Sequence, residues 1–178
     1  MMSLKPISLL FAGVLLAFAA VARADEVAEV DRLFHSGQRQ EAMARAERYL
    51  ADQPRDAQMR FLRGVMLAES QRTDDAVAAF RSLTEEFPEL PEPYNNLAVI
   101  YAERGQYGQA RDALETAVRN NPRYATAQEN LVDVYIQLAR EAYARAQRNT
   151  PGGAPAATQL GRKLSLVREL LSPRKAGS

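Results

Sequence analysis

Apolar positions in the middle of the chain recur in short stripes of helical period. Tyr94, Leu97, Ala98 and Tyr101 fall at i, i+3, i+4 and i+7, one face of an α-helix. Gly105-Gln106-Tyr107-Gly108 breaks the run, and Ala110, Ala113, Leu114 and Ala117 resume it until Asn120-Asn121-Pro122. Pro91 and Pro93 stand where the first helix starts, at positions whose N–H has no intrahelical acceptor, so the missing donor costs little. The pattern predicts helix, turn, helix, with small Ala98 and Ala110 allowing close approach. Such a hairpin leaves an apolar edge that another hairpin must cover, so hairpins stack.

The pattern repeats. Displaced by 34 residues, Val65, Ala68, Glu69, Ala76, Ala79 and Pro88 meet Val99, Ala102, Glu103, Ala110, Ala113 and Pro122. A further shift of 34 pairs Leu33, Ser36, Ala42, Ala44 and Pro54 with Leu67, Ser70, Ala76, Ala78 and Pro88. Units of about 25–56, 57–90 and 91–124 follow, marked by three evenly spaced prolines. In the second, Arg60 and Arg63 occupy places where large apolar residues are usual, and Phe61 and Leu62 are expected to compensate. In the first, Glu26 and Glu29 on the opening helix suit an end unit whose outer side faces water.

A fourth unit, 125–151, is shortened. Asn130, Leu131 and Tyr135 keep the 34 spacing to Asn96, Leu97 and Tyr101. Ala139, Arg140, Ala142, Ala146, Arg148, Asn149 and Pro151 match Ala110, Arg111, Ala113, Ala117, Arg119, Asn120 and Pro122 at 29 instead. Five residues are missing where Gly105 makes the turn, and nothing in Gln137-Leu138-Ala139-Arg140-Glu141 breaks a helix. The pair is therefore expected to fuse into one helix from about Ala125 to Asn149, about 37 Å long at 1.5 Å per residue. Beyond it, the Pro/Gly/Ala-rich stretch 152–158 reads as a linker. Residues 159–171 place Leu160, Leu164, Val167 and Leu171 on one stripe, expected to cap the array, with docking to a partner or membrane surface as the alternative. Residues 172–178 read as a tail.

The motif Tyr94-x2-Leu97-Ala98-x2-Tyr101, Ala110-x3-Leu114, Pro122 resembles the tetratricopeptide repeat, W-x2-L-G-x2-Y…A-x3-F…P. The second unit keeps Gly64, Leu67, Ala76, Phe80 and Pro88 of that pattern; the first keeps Val30, Leu33, Gly37, Ala42 and Pro54. The resemblance implies an all-α fold, an α-solenoid of stacked helix-turn-helix hairpins closed by a C-terminal capping helix. It also implies protein binding along a concave groove lined by the first helix of each unit. Carried onto this chain, the groove comprises Phe61, Val65 and Glu69, then Asn95, Val99 and Glu103, then Glu129, Asp133 and Gln137. Relatives that clamp a carboxylate line this surface with Lys and Arg, whereas Asn95, Val99, Glu129 and Asp133 suit the amide or basic groups of a partner. A repeated solvated helix face accounts for Val65/Val99 and Glu69/Glu103 equally well.

The N-terminus reads as an address. Lys5 precedes 16 uncharged residues, Ile7–Ala22, followed by Ala22-Arg23-Ala24, an A-x-A cleavage pattern. The run is shorter than the roughly 20 residues of a spanning helix, so residues 1–24 are expected to be a bacterial-type signal peptide. An uncleaved inner-membrane anchor is the rival reading. Cleavage gives a periplasmic chain from Asp25, with no integral membrane span.

Composition narrows the chemistry. The 178 residues carry 23 Lys and Arg against 22 Asp and Glu, so no positive field exists for a nucleic-acid backbone. With no Cys and a single His, thiol catalysis and Cys-bound metal sites are excluded. No metal, cofactor or catalytic residue is expected. His35 reads as an exposed residue near a turn, and Asp74-Asp75 as the charge complement of a helix N-terminus. Glu85-Glu86 and Glu103 are the carboxylates an enzymatic reading would need. Tyr94, Tyr101, Tyr124 and Tyr135 read as core and inter-unit packing. The partner expected is a protein or peptide of unknown identity. The alternative is an architectural subunit that self-associates through its C-terminal helices.

Overall fold

The computed structural model describes residues 25–149, 159 and 161–166. The leader, the linker, the tail and three of the four C-terminal stripe residues, Leu160, Val167 and Leu171, lie outside the described residues. Among the described residues the fold is all-α, an α-solenoid of the tetratricopeptide kind. Helices α1 (25–35), α2 (Arg39–Asp52), α3 (Ala57–Glu69), α4 (Thr73–Glu86), α5 (Pro91–Glu103), α6 (Tyr107–Asn120), α7 (Ala125–Arg148) and α8 (161–166) follow in order. The chain forms two compact units, one ending at Ala79 and the other starting at Phe80 within α4.

The same two turns alternate along the chain, and each has a local cause. After α1, α3 and α5 one residue takes a left-handed conformation: Gly37 (φ 89°), Gln71 (φ 61°) and Gly105 (φ 70°). Around each, the following N–H reaches back five residues, Gln38 to Leu33, Arg72 to Leu67 and Gln106 to Tyr101, at 2.8–3.0 Å. This is the Schellman closure, which satisfies carbonyls left orphaned at a helix end. After α2, α4 and α6 the turn is built on proline. Asp56 N–H bonds to Gln53, Leu90 to Phe87 and Tyr124 to Asn121, spanning Pro54, Pro88 and Pro122. Proline presets φ at the second position of such a turn. Asp56 then caps α3 by accepting from Met59 N–H at 2.9 Å.

In the first unit Val30, Leu33 and Phe34 of α1 pack with Ala42 and Ala46 of α2 and with Met59, Leu62 and Met66 of α3. Leu62 is buried as expected, but Phe61 is only half-buried. Met59, Met66 and Leu67 fill the core in place of Phe61, with Arg60 and Arg63 half-buried beside them. Glu26 and Glu29 also depart from expectation. Rather than facing water alone, Glu26 accepts two bonds from Arg45 of α2, at 2.6 and 2.9 Å, and Glu29 accepts two from Arg32, both 2.7 Å. The hydrogen bond from Arg45 holds the Glu26 carboxyl below its ordinary range.

In the second unit α5 packs on α6, and α7 packs on both. Phe80 and Leu83 of α4, Leu97, Ile100 and Tyr101 of α5 and Leu114 and Ala117 of α6 are buried. Tyr101 accepts hydrogen bonds from Arg81 at 2.9 and 3.0 Å. Tyr94 and Tyr124 are half-buried. Tyr135 is not core: it is 46% exposed and donates to Glu115 at 2.9 Å, which holds its phenol above the usual range. Where the repeat spacing falls to 29, α7 runs unbroken for 24 residues. Leu164 of α8 is 3% exposed and lines a hollow together with Arg140, Ala144 and Arg148 of α7, and Lys163 lies 5.7 Å from the Tyr143 ring centre.

Two outcomes test this account. Gln71 carries a side chain at a position its two counterparts give to glycine, and it is exposed, so Gln71→Gly removes a left-handed penalty without losing packing. The variant should gain about 0.5–1 kcal/mol in denaturant unfolding, the conformational cost less the extra freedom glycine has when unfolded. For Glu26, the folded pKa lies below the unfolded one, so its contribution is present above the unfolded value and is lost as pH falls through the folded one. The wild-type advantage in melting temperature over Glu26→Gln should therefore be present at neutral pH and shrink as pH falls below the ordinary carboxylate range.

Candidate binding cleft

The second unit builds a cleft of about 320 Å³ where α5, the start of α6 and α7 meet. Helical spacing explains its walls. On α7, Asn130, Asp133, Val134 and Gln137 stand at i, i+3, i+4 and i+7 and share one face toward the cleft. On α5, Ala98, Val99, Ala102 and Glu103 line the opposite wall, and Tyr107 and Leu114 of α6 complete it. Ala98, Leu114 and Val134 are buried and give an apolar floor. Val99, at 39% exposed, and the exposed carboxylates Glu103 and Asp133 form the rim. Neither carboxylate has an ion-pair partner among the described residues.

Two amides distinguish the cleft from an ordinary solvated face. Asn95 is 6% exposed, and its Oδ1 accepts from Asn130 Nδ2 at 2.9 Å, a bond tying α5 to α7 beside the cleft. The Gln137 Oε1 is buried and has no hydrogen-bond partner. A buried acceptor left unpaired costs about 1–3 kcal/mol, a deficit that a donor entering the cleft would relieve. Rim charge, apolar floor and unpaired acceptor together suit a segment bringing cationic and N–H groups alongside an aliphatic one.

The nine residues expected to line a groove are distributed as follows. Val99, Glu103, Asp133 and Gln137 come together in the cleft. Asn95 is committed to Asn130, and Glu129 is exposed but off the lining. Phe61 and Val65, both half-buried, and Glu69, exposed, share α3 in the first unit. Asn130, Val134, Tyr107, Leu114, Ala98 and Ala102 also line the cleft, although the sequence reading did not assign them to the groove. Asn130 and Val134 were within its reach, because they complete the i, i+3, i+4, i+7 set to which Asp133 and Gln137 belong.

Elsewhere the chemistry is quiet. His35 is exposed, with Nδ1 3.0 Å from the Asp31 carbonyl oxygen and 3.3 Å from its carboxylate. Asp74 and Asp75 occupy the first turn of α4, and Glu85 and Glu86 are exposed at its end. Among the described residues no group of three His, Asp or Glu side chains is placed to hold a metal. No described helix is long and apolar enough to cross a membrane.

No curated protein sequence matches the chain significantly. Solved structures resemble it in fold, at low identity. TTC0263, a thermophilic TPR protein of Thermus thermophilus, is 20% identical with a TM-score of 0.59, over 84% of this chain and 82% of its own. MamA is 20% identical with a TM-score of 0.57, over 80% and 84%. A structure of Naa15/Naa10 bound to HypK-THB is 18% identical with a TM-score of 0.56, over 83% of this chain and 22% of its own. Residues 27–91 match one sequence model of the tetratricopeptide repeat and residues 67–131 match a second, and with the alternating turns and stacked hairpins this places the chain in the tetratricopeptide-repeat family.

Proposed function

We propose that the chain is an exported, periplasmic protein-interaction scaffold, with no catalytic role of its own, that takes a basic segment of a protein partner in the α5–α7 cleft. Tetratricopeptide arrays are protein-binding scaffolds, and the observation that carries the finer reading is the cleft itself. Glu103 and Asp133 stand unopposed on its rim, and Gln137 Oε1 is buried without a donor. Opposite charge on a partner's segment steers encounter and fixes register, while Val99 and the buried floor supply the apolar contact. Export rests on the sequence: the uncharged run Ile7–Ala22 and the Ala22-Arg23-Ala24 pattern ahead of Asp25.

A second reading, an architectural subunit of an envelope complex, draws on Val132 and Tyr135, which remain 56% and 46% exposed on α7. Removing residues 159–178 would affect that role more than the capture of a different protein in the cleft.

Charge reversal separates the two. The chain and its Glu103→Lys/Asp133→Lys variant, immobilised side by side, should capture different proteins from an envelope extract. A partner held by the first should be lost from the second by about tenfold or more, as mass spectrometry of the captured proteins would show. Equal capture by both sinks cleft binding. Export is checked independently: the mass of the chain recovered from a periplasmic fraction should correspond to a start at Asp25, and recovery of an intact Met1 would refute cleavage.

A further inference from the structure

Helix α8 has two faces, and packing against α7 uses only one. Leu164 points into α7 and is 3% exposed; Leu166, two residues on and about 200° round the helix, is 62% exposed. Arg162, Lys163 and Leu166 are all exposed, and Arg162 and Leu166 stand at i and i+4, the spacing of one face. The cleft wall on α7, Asn130, Asp133, Val134 and Gln137, carries complementary chemistry: amides, a carboxylate and an aliphatic group.

Charge follows the same division. From residue 80 to 137 the chain carries five Arg against nine Asp and Glu; from 138 to 178 it carries eight Lys and Arg against two Glu. Among the described residues these two regions do not meet at the cleft. Lys163 is held at Tyr143 and Leu164 at Arg140–Arg148, so α8 sits on the second half of α7. Tyr143 is ten residues, about 15 Å along a rigid helix, from Asp133. No described α8 residue lines its own chain's cleft.

We infer that the occupant of the cleft is the outer face of α8 from a second copy of this chain, a head-to-tail contact. The inference rests on the α5–α7 cleft being a binding site and names its partner. Leu166 covers Val99 on the rim and Val134 on the floor, while Arg162, with Lys163 released from Tyr143, meets Glu103 and Asp133 and supplies the N–H donors that suit Gln137 Oε1. The two patches differ, so a contact between two copies uses the cleft of one and the α8 face of the other, and further copies can add at the remaining pair.

Sedimentation equilibrium of the exported full chain tests this. Average mass should rise with protein concentration above that of one chain in about 0.05 M salt and fall toward it in about 0.5 M, where exposed charges are screened within a few ångströms. Arg162→Glu/Lys163→Glu and Glu103→Lys/Asp133→Lys should each weaken association about a hundredfold by setting like charges opposite one another. Combined in one chain, the four reversals should restore it. All four substituted side chains are exposed, and Lys163→Glu gives up only the contact with Tyr143, so circular dichroism melting of each variant, expected to stay cooperative and within a few degrees of the wild type, separates lost contact from lost fold. A wild-type chain that stays monomeric at every concentration, or a fourfold variant that fails to re-associate, overturns the inference. If that monomer still captures envelope proteins through Glu103 and Asp133, the cleft reading stands and only the partner is wrong. A monomer that binds phosphatidylglycerol vesicles through Arg162 and Lys163 assigns α8 to the membrane surface instead.

Discussion

A helix can fold back on its predecessor only where the backbone is able to leave the helical region, and in this chain one left-handed residue does so in each of three hairpins. Gly37, Gln71 and Gly105 sit at the same place in successive 34-residue units. The backbone conformation there decides where the second helix starts, and hence which apolar stripe meets which. An Ala at Gly37 or Gly105 would meet nothing within 4 Å, so what those positions demand is φ and not space. The fourth unit has no such residue. With the five residues around Gly105 having no counterpart, the backbone has no exit, and the two helices become the single α7.

Much of the second unit follows from that loss. A folded fourth hairpin would place its second helix against its first. Instead α7 carries on, its first half packing on α5 and α6 and its second half receiving α8 through Leu164. Val132 and Tyr135 stay exposed, and Tyr135 bonds to Glu115 of α6 where its counterpart Tyr101 is buried. One rigid element thus carries an acidic, partly apolar cleft near one end and a basic helix near the other, held apart by the rise of the helix itself.

The architecture was legible in the sequence because it is written in spacing. Prolines 54, 88 and 122, the helical stripes and the shift from 34 to 29 need no tertiary knowledge to be read. What the sequence concealed is what side chains do once neighbours are fixed. Glu26 and Glu29 look like solvent-facing charges until Arg45 and Arg32 are seen beside them. Arg60 and Arg63 obscure the phase of α3, which Met59, Leu62 and Met66 set. In the cleft, spacing located Asp133 and Gln137 but could not show that Asn95 would be consumed by Asn130, nor that Gln137 would bury an oxygen with nothing to meet it. Those facts depend on the approach of α5 to α7, which no local pattern encodes.

The balance of forces in the cleft bears on how tightly it can hold anything. Glu103 and Asp133 are exposed, and exposed ion pairs contribute only about 0.2–1 kcal/mol each and weaken with salt. Charge therefore selects the partner and sets the speed of encounter more than it sets lifetime. Lifetime has to come from what is desolvated: an aliphatic side chain over Val99 and Val134, and a donor reaching Gln137 Oε1. A segment with Lys and Arg alone would arrive quickly and leave quickly. One that pairs those charges with an exposed leucine a turn away, as the outer face of α8 does with Arg162 and Leu166, satisfies both requirements at the spacing the cleft wall presents.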